Sequence, residues 1–128
     1  LFAGALADRG VQVWGVESAR GAVAQARRNV PQARFSAGRV ERALRTLPIS
    51  TDLIVLDPPR AGAGRAILEQ IHARAPRAVA YVACDPAALG RDVAYAKKLG
   101  WDIGDIRAFD LFPQTHHVEC VAIFHPPA

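Results

Sequence analysis

The sequence predicts an α/β domain built on a mainly parallel β-sheet, and three observations support this. Apolar runs of strand length alternate with segments whose apolar residues recur at helical spacing. Two of these runs, Leu53–Leu56 and Ala78–Ala83, are continuously apolar, as in strands covered on both faces. The 128 residues are 51% hydrophobic and 22% charged, which suffices for one core and excludes a disordered chain. We therefore expect a single domain over residues 1–128.

The first half of the chain predicts helices and strands in alternation. Gly10 follows an apolar helical segment and marks its end. Ser18 is a suitable N-cap residue, and the apolar residues after it recur at helical spacing, which predicts a helix starting there. In chain order, the predicted elements are a helix over Leu1–Asp8, a strand over Val11–Glu17, a helix after Ser18, a strand over Arg34–Ala37 and a helix over Val40–Leu47.

The second half continues the alternation and changes pattern at its end. Asp85 is a natural N-cap, Pro86 a natural first helical residue, and Gly100 lies where a left-handed C-terminal cap is wanted. The last two strands are joined without a helix, which predicts an antiparallel hairpin at the end of the sheet. The predicted elements are strands over Leu53–Leu56 and Ala78–Ala83, helices over Arg65–Ala75 and Pro86–Leu99, and strands over Asp105–Phe109 and Val118–Phe124.

Composition limits the compartment and the partners. Two cysteines are too few for a disulfide scaffold, so we expect a reducing, cytoplasmic setting. No apolar stretch approaches the roughly 18 residues of a membrane span, so no membrane association is expected. The net charge is +4, and 14 of the 16 basic residues are arginine, which favours a nucleic-acid partner or, alternatively, solvated arginine faces. The absence of methionine and the start inside an apolar run predict that the chain is a piece of a longer protein.

Acidic or reactive residues end three of the predicted strands, where ligands bind in open α/β sheets. Glu17 is placed to accept hydrogen bonds from a ribose diol, or is a surface acid near a helix N-terminus. Asp57 precedes two prolines that stiffen the chain as it leaves the strand, which favours a functional role over a plain turn. Cys84 lies just ahead of a helix N-terminus that favours a thiolate, although Asp85 opposes it; the alternative is an inert buried thiol.

A dense polar segment leads into the last strand. Glu119 is a carboxylate in an apolar strand, which predicts either a general base or a structural hydrogen bond. The nearby histidines and cysteines lack any standard zinc-ligand spacing, and adjacent histidines on a strand would point to opposite faces. We therefore predict no metal site among His116, His117, Cys120 and Cys84.

With these pieces in order, the chain resembles the catalytic domain of the RNA 5-methyluridine methyltransferases along essentially its whole length. Leu1-Phe2 and Ala5-Leu6-Ala7 resemble the helix after that family's glycine-rich cofactor loop, and Glu17 its ribose-binding acid. Three further segments match the family's Asp-Pro-Pro-Arg signature, its catalytic-cysteine segment and its catalytic-base segment: Asp57-Pro58-Pro59-Arg60, Tyr81-Val82-Ala83-Cys84-Asp85-Pro86 and Phe112-Pro113-Gln114-Thr115-His116-His117-Val118-Glu119.

The resemblance implies a Rossmann-like class I methyltransferase sheet whose first strand and glycine loop are missing here. It implies S-adenosyl-L-methionine as cofactor, with Glu17 and Asp57 at the cofactor site. Cys84 would add to C6 of a uridine in ribosomal or transfer RNA, and Glu119 would remove the C5 proton. Arg60 is a candidate for holding RNA phosphates. The alternative is a non-catalytic or inactive fragment that binds RNA or cofactor.

Overall fold

The computed structural model describes residues 1–128. They divide into two compact units, Leu1–Pro48 and Ile49–Ala128. None of the helices in either unit combines the length and the apolar character that crossing a membrane requires.

The first unit contains a two-stranded parallel sheet flanked by short helices. Strands β1 and β2 pair in register from Trp14 opposite Arg34 to Glu17 opposite Ala37. The strand predicted from Val11 begins three residues later, because its partner offers only these four pairs. In chain order, the unit comprises α1 (Phe2–Ala7), β1 (Trp14–Glu17), α2 (Arg20–Asn29), β2 (Arg34–Ala37), α3 (Val40–Ala43) and a 3-10 turn (Leu44–Thr46).

The N-terminus of α2 differs from the sequence prediction. Ala19, not Ser18, is the N-cap residue, and it makes no side-chain capping bond. The Ser18 hydroxyl instead donates to Glu17 Oε1 over 3.1 Å, and the Ala19 N–H donates to the same oxygen over 3.0 Å. The prediction that Ser18 caps this helix was therefore wrong, because the neighbouring carboxylate competes for its hydroxyl.

The second unit contains a four-stranded mixed sheet in the order β3-β4-β6-β5. Strands β3 and β4 are parallel, whereas β6 runs antiparallel to both β4 and β5. The predicted antiparallel pairing of the last two strands is confirmed, and the last strand lies between two earlier ones. The elements are β3 (Leu53–Leu56), α4 (Arg65–His72), β4 (Ala78–Ala83), α5 (Pro86–Lys98), β5 (Asp102–Phe109) and β6 (Glu119–His125).

The two faces of this sheet differ in burial. Alternate residues of β4 and β6 are buried, and the residues between them are only partly covered. The core lies on the buried face, against α4 and α5. The prediction that β3 and β4 are covered on both faces was wrong: Leu53 in β3 is 43% exposed, and every second residue of β4 is only partly buried. The core residues are Leu68, Ile71, Val79, Tyr81, Ala83, Leu89, Ala96, Trp101, Cys120, Ala122 and Phe124.

The predicted ends of α5 are confirmed. The Ala88 N–H donates to Asp85 Oδ1 over 2.9 Å, and Pro86 occupies the first turn. Gly100 follows the helix with φ +80°, a conformation that suits glycine. The helix therefore begins two residues after Cys84, the residue that follows β4.

Candidate active site

The pairing of β4 with β6 places Cys84 and Glu119 at one end of the sheet. Ala83 pairs with Cys120, so the residues one step further along are Cys84 and Glu119. Residues directly opposite on antiparallel strands share a face, and here it is the partly covered one. Both side chains line a cleft of about 210 Å³ in the second unit. Its lining residues are Arg60, Cys84, Phe112, His117 and Glu119.

The period of two along each strand separates the two cysteines. Cys120 points to the buried face and is 6% exposed, so its thiol is part of the core. Cys84 is partly buried and lines the cleft, and neither thiol is in a disulfide. The accessible thiol is therefore the one just ahead of the N-terminus of α5.

The Glu119 carboxylate is partly buried and makes no hydrogen bond or ion pair with the rest of the chain. The sequence predicted either a general base or a structural hydrogen bond for Glu119, and the structure provides no partner for such a hydrogen bond. An unengaged carboxylate beside a thiol in an open cleft can take up a proton from a bound molecule.

A tight turn positions the aromatic and imidazole side chains of the cleft. The Thr115 N–H donates to the Phe112 carbonyl over 3.2 Å, with Pro113 and Gln114 between them. Gln114 has φ +67°, the sign required at the third position of a type II turn. The Thr115 hydroxyl donates to the Phe112 carbonyl and accepts from the His117 N–H, over 2.7 and 3.2 Å. The turn thus fixes Phe112 and His117 relative to each other.

Arg60 reaches across the cleft to His117. Its Nη2 lies 3.2 Å from Nε2 and 3.3 Å from Nδ1 of the imidazole. Because a guanidinium only donates, the tautomer of His117 decides which ring nitrogen accepts in this contact. The contact holds a cationic side chain at the rim of the cleft.

The two adjacent histidines do not point to opposite faces. The His116 and His117 ring centroids are 4.3 Å apart, because both residues precede β6 and lie in the loop. The prediction for strand residues therefore does not apply to them. No three His, Cys, Asp or Glu side chains are grouped so that they could hold a metal ion.

The two residues predicted for a cofactor lie at strand ends in different units. Glu17 ends β1, and the Ala19 N–H is the main cause that lowers the pKa of its carboxyl below the ordinary value. Both hydrogen bonds go to Oε1, which leaves Oε2 able to accept a hydroxyl. Asp57 follows β3, is exposed, and makes no hydrogen bond or ion pair. Their cofactor roles stay predictions.

Sequence reasoning missed a buried polar cluster next to the cleft. Asp92 is fully buried on α5 and bonds to Tyr81 of β4 and to the loop that follows Arg60. Its signal in the sequence is an acid on the apolar stripe of a helix, among Leu89, Val93 and Ala96. A charge at such a position needs partners from elsewhere in the fold.

The fold is that of the S-adenosylmethionine-dependent methyltransferases, which confirms the predicted Rossmann-like class. A tRNA (uracil-54, C5)-methyltransferase of Pyrococcus abyssi, solved with S-adenosyl-L-homocysteine, superposes with a TM-score of 0.80 and 36% identity. The match covers 96% of this chain and 30% of that one. A TehB-like SAM-dependent methyltransferase of Corynebacterium glutamicum has a TM-score of 0.71 at 22% identity and covers 98% of this chain and 73% of that one, a likeness of fold alone.

Within this class, residues 43–125 match the tRNA (uracil-5-)-methyltransferase family, and the chain belongs to that family. The resemblance drawn from the motifs is thereby confirmed. An uncharacterized RNA methyltransferase of Streptomyces avermitilis is 54% identical over the whole of this chain and 31% of its own length. A second, from Streptomyces coelicolor, is 53% identical over the whole chain and 30% of its length. The chain thus spans about a third of the length of these curated relatives.

Proposed function

We propose that the protein containing this chain methylates C5 of a uridine in RNA, with S-adenosyl-L-methionine as methyl donor. The observation that carries the proposal is the shared cleft of Cys84 and Glu119, a thiol and an unengaged carboxylate. The family membership and the relatives named as RNA methyltransferases support the same chemistry. The Pyrococcus abyssi relative, by name a tRNA enzyme, supports transfer RNA as substrate, with ribosomal RNA as the alternative.

The residues proposed for the cofactor have the chemistry it requires. The carboxylate of Glu17 is kept ionised by the Ala19 N–H, which lowers its pKa further below neutral pH, and its Oε2 is free to accept a ribose hydroxyl. Asp57 offers a second exposed carboxylate at the end of β3. When bound, S-adenosylmethionine supplies an electrophilic methyl group. We propose that Glu17 and Asp57 hold it.

The proposed mechanism divides two tasks between the residues of the cleft. C5 of uracil is a weak nucleophile, so the Cys84 thiolate adds to C6, and the electrons of the C5–C6 double bond become available at C5. After C5 is methylated, the Glu119 carboxylate removes the remaining C5 proton. The electrons of that C–H bond restore the double bond, and the bond from C6 to Cys84 breaks.

The remaining residues of the cleft suit an RNA substrate. A base must leave its stack to reach a thiol in such a cleft. Phe112 is 49% exposed there and offers an aromatic face on which an extruded base can stack. Arg60 is exposed and cationic, and can contact a phosphate. We therefore propose that Phe112 and Arg60 contact the substrate.

Covalent trapping tests the proposed nucleophile. RNA containing 5-fluorouridine has no C5 proton to remove, so the adduct with Cys84 should persist when protein and cofactor are added. We expect wild type and Cys120→Ala to form a complex stable in denaturing gels, and Cys84→Ala to form none. Cys120 is the matched control because it is the other thiol of the chain and is buried. Trapping by Cys84→Ala at the wild-type level would contradict the assignment.

Two further predictions from the sequence remain proposals. We propose that the two units form one catalytic domain. The match to the Pyrococcus abyssi methyltransferase supports this, because it covers 96% of this chain. We also propose a cytoplasmic location, which is supported by two free thiols and an RNA substrate.

A further inference from the structure

The mechanism gives no role to Asp92, the only charged residue whose side chain is fully buried. It lies on α5, eight residues after Cys84. A buried carboxylate is costly unless its oxygens accept several hydrogen bonds. Here both oxygens do so, and two of the donors are backbone N–H groups of the loop that follows Arg60.

Asp92 and Tyr81 together hold the backbone of that loop. Asp92 Oδ2 accepts from the Ala63 N–H over 2.7 Å and from the Gly64 N–H over 3.2 Å. The Tyr81 hydroxyl donates to the same oxygen over 2.6 Å and accepts from the Ala63 N–H over 3.0 Å. Burial is the main cause that raises the pKa of Tyr81, so its hydroxyl stays protonated and remains a donor.

Arg91 completes the arrangement from the preceding position of the helix. Its guanidinium donates to Asp92 Oδ1 over 3.2 Å and also to the Ala61 carbonyl. One cation therefore faces the buried carboxylate and binds the loop at the same time. Three side chains from β4 and α5 thus bind three successive parts of the loop, at Ala61, Ala63 and Gly64.

Gly62 shows how closely the loop packs against this group. It has φ +81°, and a Cβ added there would lie 2.6 Å from both Asp92 Oδ2 and Arg91 Nη2. The Gly62 N–H also donates to the Pro59 carbonyl over 2.8 Å, which closes a turn with Arg60 inside it. The position of this turn determines where the Arg60 side chain enters the cleft.

We propose that Asp92 is a positioning residue for the RNA substrate: with Tyr81, it fixes the Ala61–Gly64 loop so that Arg60 is held at the cleft to bind an RNA phosphate. The inference rests on the proposed function and adds a residue that does not touch the substrate. If Asp92 positions Arg60, its effect on RNA binding depends on the presence of Arg60. If Asp92 only supports the core, its effect does not depend on Arg60.

Substitutions that keep the volume test the proposal in the natural full-length protein. Tyr81→Phe removes one hydroxyl and leaves the ring in the core, and Asp92→Asn removes the charge. Tyr95→Phe is the matched control, because Tyr95 is on the same helix and its hydroxyl makes no hydrogen bond. Thermal denaturation identifies any variant that does not fold. If Asp92→Asn does not fold, Tyr81→Phe tests the proposal by itself.

We expect Tyr81→Phe and Asp92→Asn to raise the KM for RNA by about tenfold, the effect of losing one well-placed contact. The KM for S-adenosylmethionine should stay within about twofold of wild type, and Tyr95→Phe should match wild type throughout. Equal losses for both substrates, or an unchanged KM for RNA in Tyr81→Phe, would overturn the proposal.

A double-mutant cycle with Arg60→Ala separates positioning from support of the fold. If Asp92 acts through Arg60, adding Asp92→Asn or Tyr81→Phe to Arg60→Ala should weaken RNA binding no further. Independent, additive losses would show that the buried group acts on something other than Arg60. Fluorescence anisotropy with a labelled transfer RNA measures the affinity without any methyl transfer.

This choice of readout distinguishes the two possible failures. Wild type that binds RNA but forms no 5-methyluridine refutes the proposed reaction, while the cycle on RNA affinity still tests the positioning role. Wild type that forms 5-methyluridine, with an additive cycle, refutes the positioning role alone. Wild type that does not bind RNA refutes both.

Discussion

Glu119 illustrates how much a single residue depends on its strand position. The sequence places an acid in an apolar strand, where a carboxylate needs either a partner or a function. The structure turns it to the partly covered face and gives it no partner. The same alternation buries its neighbour Cys120. At this scale, the period of two along β6 decides which side chain meets the cleft and which meets the core.

Replacing Glu119 by glutamine tests its proposed role as the base. The amide keeps the size of the side chain and cannot take the C5 proton, so methylation should proceed and release should stall. We expect a covalent intermediate on ordinary RNA to accumulate, with kcat reduced by about 100-fold or more. Denaturing gels with radiolabelled RNA measure the adduct over time.

Glu41→Gln serves as the control for this experiment, because Glu41 lies in the first unit and only forms an exposed ion pair with Arg39 at 3.8 Å. Its turnover should equal that of wild type. Prompt release of methylated RNA by Glu119→Gln, with no adduct, would contradict the assignment of the base.

At the scale of elements, the caps of α5 follow from local sequence, whereas the cap of α2 does not. Asp85 and Gly100 act as predicted: the Asp85 side chain accepts from the Ala88 N–H in the first turn, and Gly100 takes φ +80° after the last turn. Ser18 was predicted by the same rule, and it failed because Glu17 competes for its hydroxyl. Local rules therefore hold where no stronger acceptor is within reach.

The loop after Arg60 allows a prediction with a matched control. Gly62 and Gly100 have nearly the same φ, +81° and +80°, but a Cβ added at Gly62 would lie 2.6 Å from two side chains, whereas at Gly100 the nearest atom is Pro127 Cγ at 4.0 Å. Gly100→Ala should lower the free energy of unfolding by about 1–2 kcal/mol, the cost of a left-handed alanine. Gly62→Ala should lower it by a further ~1–3 kcal/mol, because its methyl group overlaps Asp92 and Arg91.

Urea denaturation of both variants measures this difference. Equal losses for the two alanines would show that the loop moves away from Asp92 and Arg91 at little cost. That result would also weaken the view that the loop is rigidly held.

For the second unit as a whole, the last strand is an internal strand of the sheet. β6 pairs with β4 on one side and β5 on the other, so the unit closes only when the final residues of the chain are in place. Phe124 on β6 is fully buried, and its ring lies 5.8 Å from Tyr81 and 5.9 Å from Trp101 between centroids. This strand therefore joins the sheet to the core.

Phe124→Ala should accordingly lower the free energy of unfolding by about 3–5 kcal/mol, the range for a fully buried phenylalanine. Phe109→Ala on β5 is the control, since Phe109 is 41% exposed, and we expect a loss of about 1 kcal/mol or less. Chemical denaturation followed by circular dichroism measures both. Similar losses at the two positions would show that β6 does not organise the core.

The sequence by itself determined the α/β class, the approximate positions of the helices and strands, and the candidate site residues at strand ends. These features depend on short-range patterns: apolar periodicity, caps such as Asp85, and motifs such as Asp57-Pro58-Pro59-Arg60. Only the tertiary structure showed that β6 lies between β4 and β5 and so places Glu119 beside Cys84, and that Asp92 holds the loop behind Arg60. The physical reason is that strand order and the partners of a buried charge depend on residues far apart in the chain.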